Sequence, residues 1–123
     1  MNQLHFLSFP PSVVLYYHAE GHHLGIPTTK IMPGERYLPG HYVWVSGYEE
    51  SNYKIEWMRY EPECTLPEIV KTIPHVAFEV DNLVEAIKGK KVIIKPNSPS
   101  EGVLVAFIEE NGAPIEFIQV KQT

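Results

Sequence analysis

The stretch Pro74-His75-Val76-Ala77-Phe78-Glu79-Val80 decides the fold of this chain, because it has the pattern of a buried strand that begins with a histidine. Side chains alternate between the two faces of a strand, so Val76, Phe78 and Val80 share one face. The opposite face carries His75, Ala77 and Glu79. We therefore expect the first face to pack on a core and the second face to offer ligands.

A second copy of this pattern makes a purely structural histidine the weaker interpretation. The segment His23-Leu24-Gly25-Ile26-Pro27-Thr28 has the same order of residue types, at an offset of 75 − 23 = 52 residues. At an offset of 60 residues, positions 43–60 align with positions 103–120 without a gap, and six of 18 pairs are identical. These pairs are Val43/Val103, Val45/Val105, Glu49/Glu109, Glu50/Glu110, Ile55/Ile115 and Glu56/Glu116. The chain is predicted to contain two copies of one unit, the first shorter by 60 − 52 = 8 residues.

Size and composition limit the possible functions. A chain of 123 residues with 44% hydrophobic and 20% charged residues fits one globular domain in which both repeats share a core. The first residues lack the basic start of a signal peptide, and Pro10-Pro11 interrupts their apolar run, so we expect a cytoplasmic protein. The net charge of −5 argues against nucleic acid and anionic membranes as partners.

The second repeat is predicted to be strand, helix, strand, strand, strand. Asn82 and Glu85 have capping-box spacing, and Gly89 can end the helix that follows. Residues 91–95 are predicted to be a strand, residues 96–102 a polar loop, and Asn111-Gly112 the turn of a closing hairpin.

The first repeat has the same strands but no segment for the helix. An irregular loop is expected at 29–40, and strands at 43–46 and 53–60. Thr65 and Glu68 have capping-box spacing in the connector, which predicts a short helical turn there.

The residues before the first repeat are also apolar. Residues 4–17 are too apolar for a free tail, and 13–17 has strand character. His18 and His22 are spaced as zinc ligands on a helix, an alternative that Gly21 disfavours. We divide the chain into an N-terminal extension (1–21) and one domain (22–121), which consists of module one (22–61), a linker (62–73) and module two (74–121).

Each module pairs a histidine that opens its first strand with a glutamate in its last strand. The pairs are His23 with Glu56, and His75 with Glu116. A carboxylate among apolar neighbours, as in Ile115-Glu116-Phe117, is costly to bury unless it is paired or binds a metal. Two imidazoles and two carboxylates suit a divalent transition metal. The alternative is that both glutamates face solvent.

This arrangement resembles the vicinal oxygen chelate superfamily, which includes glyoxalase I, methylmalonyl-CoA epimerase, fosfomycin-resistance proteins and bleomycin-binding proteins. The resemblance covers residues 22–121, and its most specific parts are His-Val-Ala-Phe-Glu-Val-Asp-Asn-Leu and Asn-Gly-Ala-Pro-Ile-Glu-Phe-Ile. It implies an α+β fold in which two βαβββ modules form a curled mixed sheet, the first module lacking its helix. It also implies a homodimer and places the metal ligands at His23, Glu56, His75 and Glu116.

The resemblance further implies a metal-dependent lyase or isomerase, which acts on a small oxygenated substrate through an enolate-like intermediate. The metal would be zinc, nickel, cobalt, manganese or iron. A non-catalytic module that sequesters a small molecule is the alternative, although such relatives generally lack this set of ligands. A ring-cleaving dioxygenase is a third possibility, although those enzymes are usually much longer. Because Arg36 and Arg59 are the only arginines, no clamp for glutathione or coenzyme A is evident.

The two glutamates are expected to differ in role. Lys54 lies two residues from Glu56 and favours its ionised form. Glu116 has apolar sequence neighbours, so we expect desolvation to raise its pKa toward neutrality. We therefore predict that Glu116 is both a metal ligand and the catalytic general base, and that Glu56 is mainly a ligand. The resemblance to glyoxalase also implies this role for the glutamate in the last strand.

Overall fold

The computed structural model describes residues 19–121. Within this range, eight strands form one mixed sheet, in the order β2-β3-β4-β1-β5-β8-β7-β6, accompanied by two short helices. The strands are β1 (Ala19–Pro27), β2 (Arg36–Leu38), β3 (Val43–Ser46), β4 (Ile55–Tyr60), β5 (His75–Val80), β6 (Val92–Ser100), β7 (Val103–Glu110) and β8 (Ala113–Val120). The helices are α1 (Glu68–Thr72) and α2 (Leu83–Ile87).

The strand pairing confirms the predicted internal repeat. In module one, β1 runs parallel to β4, and Gly25 lies opposite Glu56. In module two, β5 runs parallel to β8, and Ala77 lies opposite Glu116. These pairs are related by the sequence offsets of 52 and 60 residues, so both modules have the same register. The hairpins agree as well, since Val43↔Tyr60 in β3 and β4 corresponds to Val103↔Val120 in β7 and β8.

The two modules join through their first strands, which are antiparallel neighbours at the middle of the sheet. His23 lies opposite Ala77, and Gly25 lies opposite His75. His23 corresponds to His75 and Gly25 corresponds to Ala77 in the repeat, so the two pairs are equivalent. The sheet therefore has a local pseudo-twofold axis between β1 and β5. Four adjacent strands, β4-β1-β5-β8, therefore carry the four predicted ligands.

Helix α2 covers the outer face of module two, as the sequence predicted. The Asn82 side chain accepts a hydrogen bond from the Glu85 backbone N–H at 3.1 Å and caps the helix. Gly89 follows the helix with φ of 73°. Leu83 and Ala86 are fully buried against apolar residues of the sheet. Asn111-Gly112 closes the hairpin between β7 and β8 with positive φ at both residues, as expected of this turn.

Module one contains no helix among its described residues, which confirms the predicted loss. Three local predictions are wrong. The loop at 29–40 includes the short strand β2, because Arg36–Leu38 pairs with β3. The short helical turn predicted in the connector is present as α1, but Pro67 rather than Thr65 precedes it, and no side chain caps this helix. Strand β6 continues through residues 96–100, because its Pro96 and Pro99 lie on an edge strand that tolerates missing donors and shifted register.

The sheet is curled, since side chains from both of its halves line one cavity on its inner face. Leu38 and Val43 reach this cavity from module one, and Ile94 and Phe107 reach it from module two. Neither helix within residues 19–121 has the length and apolar character needed to cross a membrane. The predicted strand at 13–17 and the His18 alternative lie outside the described residues.

Candidate metal centre

The inner face of the four central strands brings His23, His75 and Glu116 together. One ligand atom from each lies within 4.8 Å of the other two. The His75 Nε2 to Glu116 Oε1 distance is 3.0 Å, and the His23 Nε2 to Glu116 Oε1 distance is 3.4 Å. Glu56 is not part of this set of three, but its Oε1 lies 3.5 Å from His23 Nε2. His23 therefore faces a carboxylate from each module.

The position of His75 depends on the absence of a side chain at Gly25. The imidazole lies directly over this glycine, its partner across the β1–β5 pairing. A Cβ added at Gly25 would lie only 2.6 Å from His75 Nε2 and 2.8 Å from Nδ1. This close approach keeps the His75 ring at the centre of the site, where it is 1% exposed.

The predicted pKa of Glu116 is wrong in direction. Burial alone raises the pKa of this carboxyl, but the imidazoles of His23 and His75 outweigh burial and lower it to about 2. The sequence neighbours of Glu116 are apolar, as noted, but its partners come from β1 and β5. Glu116 is therefore an ionised carboxylate held between two imidazoles.

The pKa values of Glu56 and His23 are raised, whereas the pKa of Glu116 is lowered. Burial raises the pKa of Glu56, although the nearby His23 opposes this shift. The prediction that Lys54 favours the ionised form of Glu56 is wrong, because Lys54 is exposed and burial raises the pKa of Glu56. Burial alone would lower the pKa of His23, but the carboxylates of Glu116 and Glu56 raise it. The centre thus holds a histidine that favours its charged form between two carboxylates.

His22 supports His23, a role that the sequence interpretation missed. The β1–β5 register shifts between Gly21 and His23, which makes His22 the extra residue of a bulge. Its Nδ1 lies 2.8 Å from His23 Nδ1, and its ring stacks on Tyr48 at 5.3 Å. When His23 Nδ1 is the donor of this bond, its Nε2 presents a lone pair to the centre. Two adjacent histidines in a strand are the only signal for this in the sequence.

The donor set fits a divalent transition metal. Imidazole and carboxylate are common ligands for zinc, nickel, cobalt, manganese and iron, and three protein ligands leave positions for water or substrate. His23 Nε2 is buried and has no hydrogen-bond partner, although it points at two carboxylates. A buried polar atom without a partner is rare, and a bound metal would satisfy it.

The centre lies between an apolar cavity and a polar pocket. On one side, Glu116 lines a cavity of about 80 Å³ whose walls are largely apolar. On the other side, Glu56 lines a more polar pocket of about 120 Å³, together with Arg36 and Tyr48. Arg59 is already engaged, because its guanidinium donates two hydrogen bonds of 2.7 Å to the Glu35 carboxylate.

Two solved structures have a fold similar to that of this chain. The hypothetical protein BH1468 from Bacillus halodurans C-125 matches with a TM-score of 0.64 and 24% identity, over 85% of this chain and 96% of that chain. Methylmalonyl-CoA epimerase from Mycobacterium tuberculosis matches with a TM-score of 0.59 and 14% identity, over 83% of this chain and 88% of that chain. No protein-family model and no curated protein matches the sequence.

At these identities, the likeness is evidence for the fold. It agrees with the doubled module, the central pair of first strands and the curled sheet seen in this chain. The chain therefore has a glyoxalase-like fold, with a first module that lacks its helix.

Proposed function

We propose that this protein is a metal-dependent lyase or isomerase that acts on a small oxygenated substrate through an enolate-like intermediate. One observation carries the proposal: equivalent strands of two repeated modules direct two histidines and a buried glutamate to one point. Such a set is expensive to bury without a bound cation. The methylmalonyl-CoA epimerase that shares the fold is named for an isomerisation, which supports the same class of reaction.

His23, His75 and Glu116 would hold the ion, and Glu56 is the fourth candidate ligand. A bound divalent ion supplies a Lewis acid that stabilises negative charge on a substrate oxygen. The protein contributes an enclosed position for the reacting carbon, because largely apolar walls adjoin Glu116. A carboxylate of the centre would then take a proton from the carbon next to a substrate carbonyl and return it.

Glu116 stays our prediction for the general base, but the prediction now rests on the family resemblance alone. The raised pKa that first supported it is not found, since two imidazoles lower the pKa of Glu116 to about 2. Glu56 has a raised pKa and lies beside the polar pocket. Substituting each carboxylate in turn will assign the base.

Metal analysis of protein purified without a histidine tag is the first test. We expect about one divalent ion per chain, and at least a tenfold lower metal content in His75→Ala. His41→Ala is the matched control, because His41 lines the apolar cavity but is not in the ligand set. A protein that is isolated without metal and takes up none of the five candidate ions would refute the enzyme proposal and favour a sequestering module.

The reaction is tested next, by solvent-deuterium exchange into small ketones, hydroxy acids and thioesters, followed by NMR. Exchange by the metal-loaded protein that is absent from the metal-free protein supports a lyase or isomerase. Variants are compared at matched metal occupancy. Exchange that is lost in Glu116→Gln assigns the base to Glu116, whereas loss only in Glu56→Gln assigns it to Glu56.

A further inference from the structure

The candidate metal centre is most open to solvent on the side of Glu56. The Glu56 side chain is 18% exposed, whereas those of Glu116, His23 and His75 are 11%, 6% and 0% exposed. The polar pocket of about 120 Å³ lies on this side, and Glu56 is part of its lining. A small molecule that approaches the centre through this pocket therefore meets the other side chains of the pocket lining.

Arg36 lies on the same inner face of the sheet as Glu56. Val45 pairs with Arg36 on one side and with Met58 on the other, and cross-strand partners share a face. Glu56 and Met58 are two residues apart in β4, so Glu56 shares this face as well. Arg36, Val45 and Glu56 accordingly line one pocket. The positive charge of Arg36 is close enough to oppose the rise in the pKa of Glu56.

The Arg36 guanidinium has no partner within residues 19–121. It makes no hydrogen bond in this range, and no carboxylate of the range lies within ion-pairing distance of it. Arg59, the other arginine, is fully engaged by Glu35. Arg36 is exposed, so an incoming group can reach its N–H donors. A guanidinium binds a carboxylate through two parallel hydrogen bonds, so Arg36 offers a carboxylate site beside the open side of the centre.

Three carboxylates also line the pocket, and they limit the charge that it accepts. Glu56 faces the centre, where a bound divalent ion would offset its charge. Glu49 and Glu50 lie in the turn between β3 and β4 and are exposed, so water and salt screen their charges. They weaken the binding of any anion, and they repel a dianion such as a phosphate more strongly than a carboxylate. The pocket therefore favours a single negative charge placed next to Arg36.

From this arrangement, we propose that the substrate carries a carboxylate and that Arg36 binds it, while the chelating oxygens of the substrate lie at the metal centre. The proposal rests on the proposed function, and it narrows the substrate class to small oxygenated carboxylic acids. The pocket volume of about 120 Å³ accommodates a short chain between the carboxylate and the chelating oxygens. Arg36 is thus a specificity-determining residue, which selects a carboxylate over a neutral amide or ester of the same shape.

Hydroxamates that carry a carboxylate test the proposal, because a hydroxamate binds a metal through two neighbouring oxygens. The probes are the monohydroxamates of malonic, succinic and glutaric acid, in which the chain between the two groups grows by one methylene at a time. Each is compared with its primary amide, which has nearly the same shape without the charge. Acetohydroxamate reports on the metal centre alone. Calorimetry measures binding to protein loaded with the divalent ion that it takes up.

The expected result is a preference for the acid over the amide. At the chain length that fits, we expect the acid to bind at least about threefold tighter, since Arg36 is exposed and its ion pairs are partly screened. The preference should decrease at high ionic strength.

Variants of Arg36 separate its role from that of the metal ion, which also binds carboxylates. The preference for the acid should disappear in Arg36→Gln and be partly kept in Arg36→Lys, which retains the charge but not the planar group. Lys54→Gln is the matched control. It removes a positive charge that lies 6.0 Å from the centre of the Tyr48 ring but is not in the pocket lining. Replacing Glu49 and Glu50 together by Gln should strengthen the binding of the acids. All of these variants should bind acetohydroxamate as the unmodified protein does.

Failures of the two proposals give different results. If acetohydroxamate and the longer probes all fail to bind the metal-treated protein, the metal centre and the proposed function are refuted. If acetohydroxamate binds but no acid binds tighter than its amide, the present inference is refuted alone. A preference that persists in Arg36→Gln, or that falls equally in Lys54→Gln, would refute the role of Arg36. Tightest binding by 3-phosphonopropanohydroxamate, which has the chain of the succinic compound, would refute the restriction to one negative charge.

Discussion

The imidazole of His75 lies over the backbone of Gly25, in the space that a side chain would otherwise fill. His75 and Gly25 are partners across the two central strands, and Ala77 and His23 are the corresponding pair. The residue opposite His75 is thus glycine, whereas the residue opposite His23 is alanine. Because glycine leaves more room than alanine, the His75 imidazole is the more deeply buried of the two, and it lies 3.0 Å from Glu116.

We predict that Gly25→Ala lowers metal affinity at least about tenfold, because the new methyl group must displace the His75 ring or the strand beneath it. Titration with a divalent ion measures the affinity, and thermal unfolding measures the stability. Gly21→Ala is a matched control in the same strand, since an added Cβ there has nothing within 4 Å. Equal affinity in both variants would show that His75 does not bind the ion in this position.

The repeated pattern made most of the fold predictable, because the same offsets that align the two histidines also set the parallel registers. The electrostatics were not predictable, since the imidazoles that lower the pKa of Glu116 belong to distant strands. The full length of β6 was missed because Pro96 and Pro99 indicate a loop, whereas this edge strand accommodates both prolines. The support of His22 for His23 depends on a bulge that the sequence does not mark.

We predict that the two glutamates contribute unequally to metal affinity. Glu116 lies 3.0 Å from His75 and 3.4 Å from His23, whereas Glu56 lies 3.5 Å from His23 and is outside the set of three ligands. Glu116→Gln should therefore lower the affinity by at least about tenfold, and Glu56→Gln should lower it less. Calorimetric titration of both variants measures the difference. A greater loss in Glu56→Gln would place Glu56 in the primary ligand set.

Metal affinity should rise with pH through the range in which His23 loses its proton. The pKa of His23 is raised above 6.5 by two carboxylates, and a metal requires the neutral imidazole, so binding must release this proton. Glu56→Gln removes one of these carboxylates and should move the rise to lower pH. Affinity measured between pH 5.5 and 8.5 tests this, with proton release followed in two buffers. If metal affinity does not change with pH over this range, metal binding does not require His23 to lose a proton.

The same groups predict the pH dependence of stability in the metal-free protein. A raised histidine pKa gives stabilisation that is fully present below 6.5 and is lost as pH rises through the folded pKa of His23. A lowered carboxyl pKa gives stabilisation that is present above 4.5 and is lost as pH falls toward about 2, as for Glu116. Together, His23 and Glu116 should therefore contribute most to stability between pH 4.5 and 6.5, whereas the raised pKa of Glu56 lowers stability as pH rises above 4.5; thermal unfolding measures the sum. Glu116→Gln should remove the acid part of this dependence.

Leu24 and Ile26 lie on the outer face of module one, which has no helix of its own among the described residues. Their strand neighbours are Ile55 and Trp57, so this face is apolar and needs a cover. Residues 1–17 lie outside the described part of the chain, and we predict that they, from the same chain or from the partner in a homodimer, provide the cover. Deleting 1–17 should lower the unfolding temperature or cause aggregation, measured by thermal unfolding and light scattering.

A charge placed on this face tests the prediction without a deletion. Leu24→Glu should destabilise the full-length protein by about 2 kcal/mol or more, because the carboxylate would be buried under the cover. Ile31→Glu is the matched control, since Ile31 is 79% exposed. Concentration-dependent stability that is lost in Leu24→Glu would assign the cover to a second copy of the chain, and concentration-independent stability would assign it to the same chain. If the deletion and Leu24→Glu leave stability and oligomeric state unchanged, residues 1–17 cover nothing and the face is exposed to solvent.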